Sequence, residues 1–185
     1  MSYRIRGEWS ILMRRISIRE LVDSDAAAIY EAVSESRKEI AEWMDWCHDS
    51  YDAEDARSWV ELASKWSSEG SQYQFGVFES EGPFLGGVGL SHINQQAKCA
   101  NLGYWVRTSA VGQGVAPEAI RLISDWAFSN TDLQRLEIVA ATANLRSRGV
   151  AEKVGAIKEG VLRSRLCVFG RHYDAVMYSI VRGDF

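Results

Sequence analysis

Gly112-Gln113-Gly114-Val115-Ala116 lies between a strand-like segment, residues 101–107, and a helix predicted to open at Pro117. Two glycines let the backbone turn tightly enough to aim successive N–H groups at one point. The helix behind them adds unpaired amides and the positive end of its dipole, a combination that binds anions such as phosphate. The sequence therefore predicts a phosphate-binding turn, with an ordinary glycine turn before a helix as the alternative.

The predicted helix has one apolar face, which fixes its position against a core. Pro117 suits its first turn, where the missing N–H of proline costs nothing. The apolar residues at helical spacing are Val115, Ala119, Leu122, Ile123 and Trp126.

Two common phosphate motifs are excluded by the residues around the glycines. A P-loop needs Gly-Lys-Ser/Thr, but Gly114 is followed by Val-Ala. A dinucleotide fingerprint needs a small residue where Pro117 stands and an acid at the end of the next strand. That strand, predicted over residues 135–142, ends in Ala-Ala-Thr. The ligand is thus phosphorylated but bound in another way.

The order strand, glycine loop (x-x-G-x-G/A) and helix resembles the pyrophosphate-binding signature of the GNAT acetyl-CoA N-acetyltransferases. The usual form of that signature is Q/R-x-x-G-x-G/A. Val111 replaces the usual Gln or Arg, which removes one side-chain contact or brace but leaves the backbone amides. Residues 144–147 (NLRS) and 151–160 (AEKVGAIKEG) are similar to a downstream run of the family. Residues 36–46 (SRKEIAEWMDW) resemble the RimJ/RimL branch, which acetylates the N-terminal α-amine of ribosomal proteins. The resemblance covers about residues 16–180.

The order of predicted elements gives an α+β fold with a mixed sheet, in one domain over residues 1–185. Residues 16–20 are predicted to form the first strand, and Asp23 is predicted to cap the first helix. An antiparallel meander of strands is predicted before the glycine turn. The resemblance implies the GNAT fold: a mostly antiparallel twisted sheet flanked by helices, with central strands splayed to hold acetyl-CoA.

Composition limits the class of protein. The 185 residues are 46% hydrophobic, enough for one domain with a substantial core. A net charge of -4 provides no basic field for nucleic acid. Three scattered cysteines indicate neither a disulfide framework nor a zinc site, and no metal is implied. Met1–Arg6 lacks the apolar core of a signal peptide and no run is predicted to span a bilayer, so we expect a cytoplasmic protein, monomeric or homodimeric.

The resemblance assigns cofactor contacts mainly to backbone. The backbone of Trp105 and Val106 would bind the pantetheine arm, and the Val106 N–H would stabilise the oxyanion. Their side chains are expected to be strand core in any case. The pyrophosphate would lie on the glycine loop, formed by Val111, Gly112, Gln113, Gly114, Val115 and Ala116.

Asn144 stands where a helix N-cap is expected, and the resemblance adds a hydrogen bond from its amide to pantetheine. Ser147 matches the serine that RimL-like enzymes are thought to use to protonate the leaving thiolate; a surface helix residue is the alternative. Arg146 and Arg148 are candidates for the nucleotide phosphates of CoA, with solvated charge as the default for each.

The general base is where the sequence departs from the family. RimL-like enzymes are thought to use a glutamate in the strand after the short helix, but that position holds Leu166. His92, at a strand end, is the replacement by position and by the ordinary pKa of imidazole, although a structural histidine is the simpler interpretation. Glu137 and Asp45 are weaker candidates.

The acceptor side is predicted from an acidic, aromatic segment. Residues 39–55 contain seven carboxylates and no Lys or Arg, with tryptophans interleaved. Such a surface attracts an ammonium and holds it against ring faces. Asp52, Glu54 and Asp55 are explained by the dipole of the next helix. The predicted substrate wall is therefore Trp43, Met44, Asp45 and Trp46.

We therefore expect an acetyl-CoA-dependent N-acetyltransferase that acts by direct attack of an amine in a ternary complex, with a protein N-terminus as the acceptor. One alternative is a small amine acceptor such as an aminoglycoside, polyamine or amino acid. The other is a CoA-binding module without turnover, which Val111 and Leu166 favour.

Overall fold

The computed structural model describes residues 16–80 and 82–184, so the prediction made for Met1–Arg6 lies outside the described residues. The strands are β1 (Ile16–Glu20), β2 (Tyr73–Glu79), β3 (Phe84–Asn94), β4 (Cys99–Val106), β5 (Arg135–Ala141), β6 (Ile157–Val168) and β7 (Arg171–Val181). The α-helices are α1 (Ala26–Ala41), α2 (Ala53–Glu69), α3 (Val115–Asn130) and α4 (Leu145–Lys153). Short 3₁₀ turns occupy Asp23–Asp25 and Thr108–Ala110.

The strands form one mixed sheet in the order β1-β2-β3-β4-β5-β7-β6. Every neighbouring pair is antiparallel except β4 and β5, which run parallel. That parallel pairing covers only Cys99–Asn101 opposite Arg135–Glu137, although β4 stays paired with β3 as far as Val106. The two central strands therefore diverge after Asn101. The predicted α+β fold with splayed central strands is confirmed.

The sheet separates two hydrophobic clusters, one on each face. The cluster around α3 and α4 includes Leu102, Ile120, Ile123, Leu136 and Tyr178. The cluster around α1 and α2 includes Ile29, Val33, Val60, Phe78 and Phe84. Because residues alternate along β4, Tyr104 and Val106 pack with the first cluster and Trp105 with the second.

The helix starts follow local capping chemistry. The Asp52 side chain accepts hydrogen bonds from the N–H groups of Glu54 and Asp55, and the Asp55 carboxylate accepts one from the Asp52 N–H. Helix α3 begins at Val115 and not at Pro117, because Gly114 takes the cap position in a left-handed conformation. Asp23 was predicted to cap α1 but lies within the preceding 3₁₀ turn. The Asp25 carboxylate instead accepts the hydrogen bonds in this turn, at 2.7 Å from the Arg19 guanidinium and 2.9 Å from the Val22 N–H.

No helix within residues 16–80 and 82–184 is long and apolar enough to cross a bilayer.

Candidate active site

The divergence of β4 and β5 exposes peptide groups along one edge of β4. The Arg107 N–H donates to the Leu85 carbonyl at 2.8 Å, and Trp105 stands opposite Gly87 in the same register. Peptide groups alternate between the two edges of an antiparallel strand. The Trp105 peptide therefore faces β3, while those of Tyr104 and Val106 face the cleft. The register supports Val106 as a backbone donor in the cleft but conflicts with the prediction for Trp105, whose place Tyr104 takes.

The glycine loop has the backbone geometry of an anion site. Gly112 and Gly114 have φ of 79° and 81°, a left-handed conformation that disfavours other residues. Among the described residues, an added Cβ would meet nothing within 4 Å at either position, so the requirement for glycine is conformational. No side chain of the described residues caps the start of α3. Its first amides are therefore available to a ligand.

The side chain of Gln113 braces this loop. The Gln113 amide donates to the Ser109 carbonyl at 2.7 Å, so this side chain stiffens the turn. Val111, at the position of the usual Gln or Arg, is 48% exposed. The loop thus lacks the side chain that the family signature supplies but keeps its backbone donors.

Helix α1 holds the segment that leads into the loop. The Ser36 hydroxyl accepts from the Thr108 N–H at 2.8 Å, and Glu35 accepts from the Ser109 N–H at 2.6 Å. Glu35 also binds the Arg107 guanidinium at 2.5–3.0 Å. Hydrogen bonds from Arg107 and from the Ser109 N–H lower the pKa of Glu35 to about 2. Sequence reasoning quoted Ser36 within a motif but assigned no role to either residue.

Asn144 and Ser147 meet at the start of α4, on the far side of the cleft. The Asn144 side-chain oxygen accepts from the Ser147 N–H at 3.0 Å, so the predicted N-cap is present. With the oxygen used as a cap, the amide nitrogen of Asn144 is the group left to donate to a ligand. The Tyr104 hydroxyl lies 2.9 Å from both the carbonyl oxygen and the Oγ of Ser147.

Tyr104 is a site residue that sequence reasoning missed. Burial raises the pKa of its hydroxyl to about 12, so the group is protonated at neutral pH. The signal was its alternation with Leu102 and Val106, which directs its ring to the α3–α4 side of the sheet. Only the packing of α4 against β4 shows what the ring reaches.

The two arginines beside Ser147, Arg146 and Arg148, lie in different surroundings. Arg148 donates to the Thr142 carbonyl at 2.8 Å, which ties α4 to the end of β5. This bond uses Nη1, while the buried Nε has no hydrogen-bond partner among the described residues, so the CoA phosphate contact of Arg148 stays a prediction. Arg146 is exposed and keeps the predicted alternatives open.

The base candidates do not converge on Ser147. His92 is exposed on a bulge near the end of β3 and bonds Ser91 at 3.1 Å. Val88 is the β3 residue opposite Tyr104. His92 lies four residues further along β3, roughly 13 Å from Val88. Glu137 is paired with Arg135 at 2.8 Å.

At the family's glutamate position, Leu166 is half-buried opposite Tyr173. Asp45 is exposed on the segment between α1 and α2. The structure therefore does not bring His92 to the reacting region, and Leu166 offers no proton acceptor.

The predicted substrate wall divides into two parts. Trp43 reaches across to Tyr173 of β7, with ring centroids 6.0 Å apart. Trp46 turns the other way and packs on Trp59 at 6.3 Å and Trp105 at 5.9 Å. Met44 packs against the α1–α2 cluster.

Arg37, which sequence reasoning had only quoted, fixes the segment between α1 and α2. Its guanidinium donates to the carbonyl oxygens of Asp49 and Tyr51.

Trp46 also lines an aromatic pocket of about 210 Å³. His48 and Asp55 lie at this pocket, 3.7 Å apart. Burial raises the pKa of the Tyr51 hydroxyl, so this phenol is neutral at pH 7. The pocket therefore places a neutral phenol and three indole rings beside the Asp55 carboxylate. The pocket-lining residues are Ile29, Trp46, His48, Tyr51, Asp55, Ser58, Trp59, Leu62 and Trp105.

These features fit acetyl-CoA. The left-handed glycines and the open start of α3 suit a pyrophosphate, and the unpaired edge of β4 suits an amide-bearing arm. In the part of the chain that the structure describes, no group of three His, Cys, Asp or Glu could hold a metal ion.

Comparison with known proteins agrees with this geometry. YjcK of Bacillus subtilis (strain 168), named a probable N-acetyltransferase, is 30% identical over 174 residues, which are 92% of this chain and 96% of YjcK. The ribosomal-protein-serine acetyltransferase of Escherichia coli (strain K12) is 22% identical over 164 residues, covering 89% of this chain and 91% of the relative.

Among solved structures, the ribosomal alpha-N-protein acetyltransferase RimL in complex with coenzyme A superposes with a TM-score of 0.82 at 21% identity, covering 90% of this chain and 93% of RimL. Residues 15–157 match the family model described as the acetyltransferase (GNAT) domain. The chain is therefore a member of the GNAT acetyltransferase family and an acetyl-CoA-dependent N-acetyltransferase.

Proposed function

We propose that this N-acetyltransferase acts in the cytoplasm on the N-terminal α-amine of a protein, with ribosomal proteins as the first candidates, by direct attack in a ternary complex. The proposal rests mainly on the residues that stand where a general base is expected. Leu166 stands where a carboxylate is expected, and Glu137 is held by Arg135. The names of the Escherichia coli relative and of RimL point to the same class of acceptor.

A site without a carboxylate base favours an acceptor that is easily deprotonated. An α-amine has a pKa near 8, so neutralising it at pH 7 costs only about 1 kcal/mol. A lysine with a pKa of about 10.4 costs roughly 4.6 kcal/mol. A site without a carboxylate base tolerates the first acceptor far better than the second.

The remaining groups are assigned by position. Acetyl-CoA, when bound, supplies a thioester acetyl group. The Gly112–Ala116 amides hold its pyrophosphate, the β4 edge at Tyr104 and Val106 binds its arm, and the Val106 N–H donates to the carbonyl oxygen. Ser147 donates to the sulfur and the Asn144 amide to the arm.

A small amine is the second candidate acceptor, and the aromatic pocket favours it. The pocket surrounds about 210 Å³ with rings and carries Asp55 at its edge. Aromatic faces and a carboxylate bind organic cations. A compact amine with an apolar stem would fit such a site.

The test is thiol release from acetyl-CoA with a panel of acceptors: peptides beginning with Ser, Ala or Met, lysine peptides with blocked N-termini, spermidine and an aminoglycoside. Turnover restricted to free N-termini supports the proposal. Turnover restricted to small amines overturns it in favour of the second candidate. No turnover, with CoA binding measured by calorimetry, would identify a CoA-binding module.

A further inference from the structure

Tyr104 and Ser147 form the side-chain contact that spans the cleft between β4 and α4. The phenol oxygen is 2.9 Å from the Ser147 Oγ and 2.9 Å from the Ser147 carbonyl oxygen. The Ser147 N–H is already bound by the Asn144 cap at 3.0 Å. Three polar groups of one serine are thus held by two residues, one from the sheet and one from the helix start.

This arrangement matters because a helical serine has an alternative. Its hydroxyl commonly donates to a carbonyl one turn earlier in its own helix, where it is lost to a ligand. A phenol beside the Oγ competes with that bond. The phenol has one hydrogen, and the Ser147 carbonyl oxygen can only accept it. When that hydrogen is shared between the carbonyl oxygen and the Oγ, both 2.9 Å away, the hydrogen of Ser147 is free to point into the cleft.

We propose that Tyr104 is a positioning residue, whose hydroxyl orients the Ser147 Oγ so that the serine donates a hydrogen bond to the thioester sulfur. This inference rests on the assignment of Ser147 to the sulfur in the proposed function. It does not depend on which amine is the acceptor.

The relative acidities of the Tyr104 phenol and of a thiol decide whether the phenol can protonate the leaving thiolate. The Tyr104 phenol, with a pKa of about 12, is over three units weaker as an acid than a thiol with a pKa of about 8.5. Complete proton transfer from the phenol to the thiolate is therefore disfavoured by a factor of at least about 1,000.

The pair acts as a hydrogen-bond donor and not as a proton source. As the C–N bond forms and the C–S bond breaks, the sulfur takes the negative charge under the Ser147 bond. The proton lost by the amine then reaches the sulfur through water.

The test compares Tyr104→Phe with the wild-type protein, using the best acceptor from the panel. We expect kcat to fall about tenfold, with the Kd for CoA unchanged and the thermal midpoint lowered no more than in the control variant, since each loses one hydrogen-bonded phenol. Ser147→Ala should lose at least as much kcat. The double variant Tyr104→Phe/Ser147→Ala should be no slower than Ser147→Ala, because Tyr104 acts only through the serine.

Tyr178→Phe is the matched control. Its phenol also ties α4 to the sheet, by a bond of 2.9 Å to Glu152, and among the described residues it makes no hydrogen bond to Ser147. We expect this variant to keep the wild-type kcat. Equal losses in the two tyrosine variants, or a further loss in the double variant, would overturn the positioning role. If Tyr104→Phe is unstable, full activity of Ser147→Ala would overturn it as well. Failure of all acceptors would instead contradict the proposed function.

Discussion

The Ser36 hydroxyl accepts a hydrogen bond of 2.8 Å from the Thr108 N–H, which joins the buried face of α1 to the segment before the glycine loop. Glu35, the preceding residue, binds the next N–H of that segment, at Ser109. Two consecutive residues of α1 therefore fix two consecutive amides upstream of the phosphate site. The loop geometry depends on a helix about 70 residues earlier in the chain.

Replacing Ser36 with alanine removes the acceptor for the Thr108 N–H. We expect the free energy of unfolding to fall by about 1 kcal/mol, because a partly buried donor loses its partner. We also expect weaker CoA binding, since the loop loses one support. Urea denaturation and calorimetry measure the two effects. Ser34→Ala, at an exposed position of the same helix, should change neither; an equal effect there would contradict the role of Ser36.

Gly114→Ala tests the glycine loop. The φ of 81° at Gly114 is unfavourable for alanine by about 1–2 kcal/mol. In the part of the chain that the structure describes, no neighbouring atom lies within 4 Å of an added Cβ, so backbone strain and not a steric clash is the cause. We expect a lower thermal midpoint and about tenfold weaker CoA binding as the amides move. Gly149→Ala, inside α4 and also without a neighbour within 4 Å, should be neutral or stabilising. Unchanged CoA affinity in Gly114→Ala would count against the anion site.

The free energy of unfolding should fall at acidic pH, in part because Glu35 becomes protonated. The pKa of this carboxyl is lowered from 4.5 to about 2, chiefly by its hydrogen bond with Arg107. Its stabilising effect is therefore complete above about pH 4.5 and lost as the pH falls through about 2. We expect Glu35→Gln to reduce the loss of unfolding free energy across this interval. Urea denaturation at pH 7, 4.5 and 3 measures the slope.

Two comparisons sharpen that result. Glu159, held by Arg135, has a pKa lowered to about 2 as well, so the double variant Glu35→Gln/Glu159→Gln should have a smaller slope than either single variant. Glu61→Gln, at an exposed position of α2, serves as the control and should keep the wild-type slope. An unchanged slope in Glu35→Gln would show that the Arg107 pair does not act as described.

Filling the aromatic pocket separates the two candidate acceptors. Ser58 is exposed and lines the pocket, so Ser58→Trp should fill it without enlarging the core. We expect a small amine to lose most of its kcat/KM, because its cation site is occupied. A peptide N-terminus should lose less than about threefold if it binds beside Trp43. Glu61→Trp, also exposed on α2 but outside the pocket, is the control. Equal losses for both acceptors would place both in the pocket.

Local patterns in the sequence predicted most elements and the glycine loop. Alternation predicted the strands, and the two glycines predicted a turn that only a left-handed backbone can make, as observed at Gly112 and Gly114. Asn144 was predicted as an N-cap from residue type and position, and it is one. The start of α3 was predicted two residues late because Pro117 tolerates the first turn but does not define its first residue.

The contacts of the site were harder to predict, because strand bulges, sheet register and helix packing decide them even where the partners lie close together in the chain. His92 and Arg148 had suitable chemistry, but a bulge in β3 and a carbonyl at the end of β5 determine where they point. Tyr104 had no motif of its own. Its ring meets Ser147 only because β4 diverges from β5 and α4 packs beside the gap.

The sequence by itself determined the order of elements, the anion-binding turn and the family, because these depend on periodicity, on glycine conformation and on residues close together in the chain. Only the tertiary structure decided which edge of β4 is free and which phenol reaches Ser147. The physical reason is that hydrogen-bond partners separated by 40 residues or more are chosen by sheet register and helix packing, and neither is encoded in any one segment.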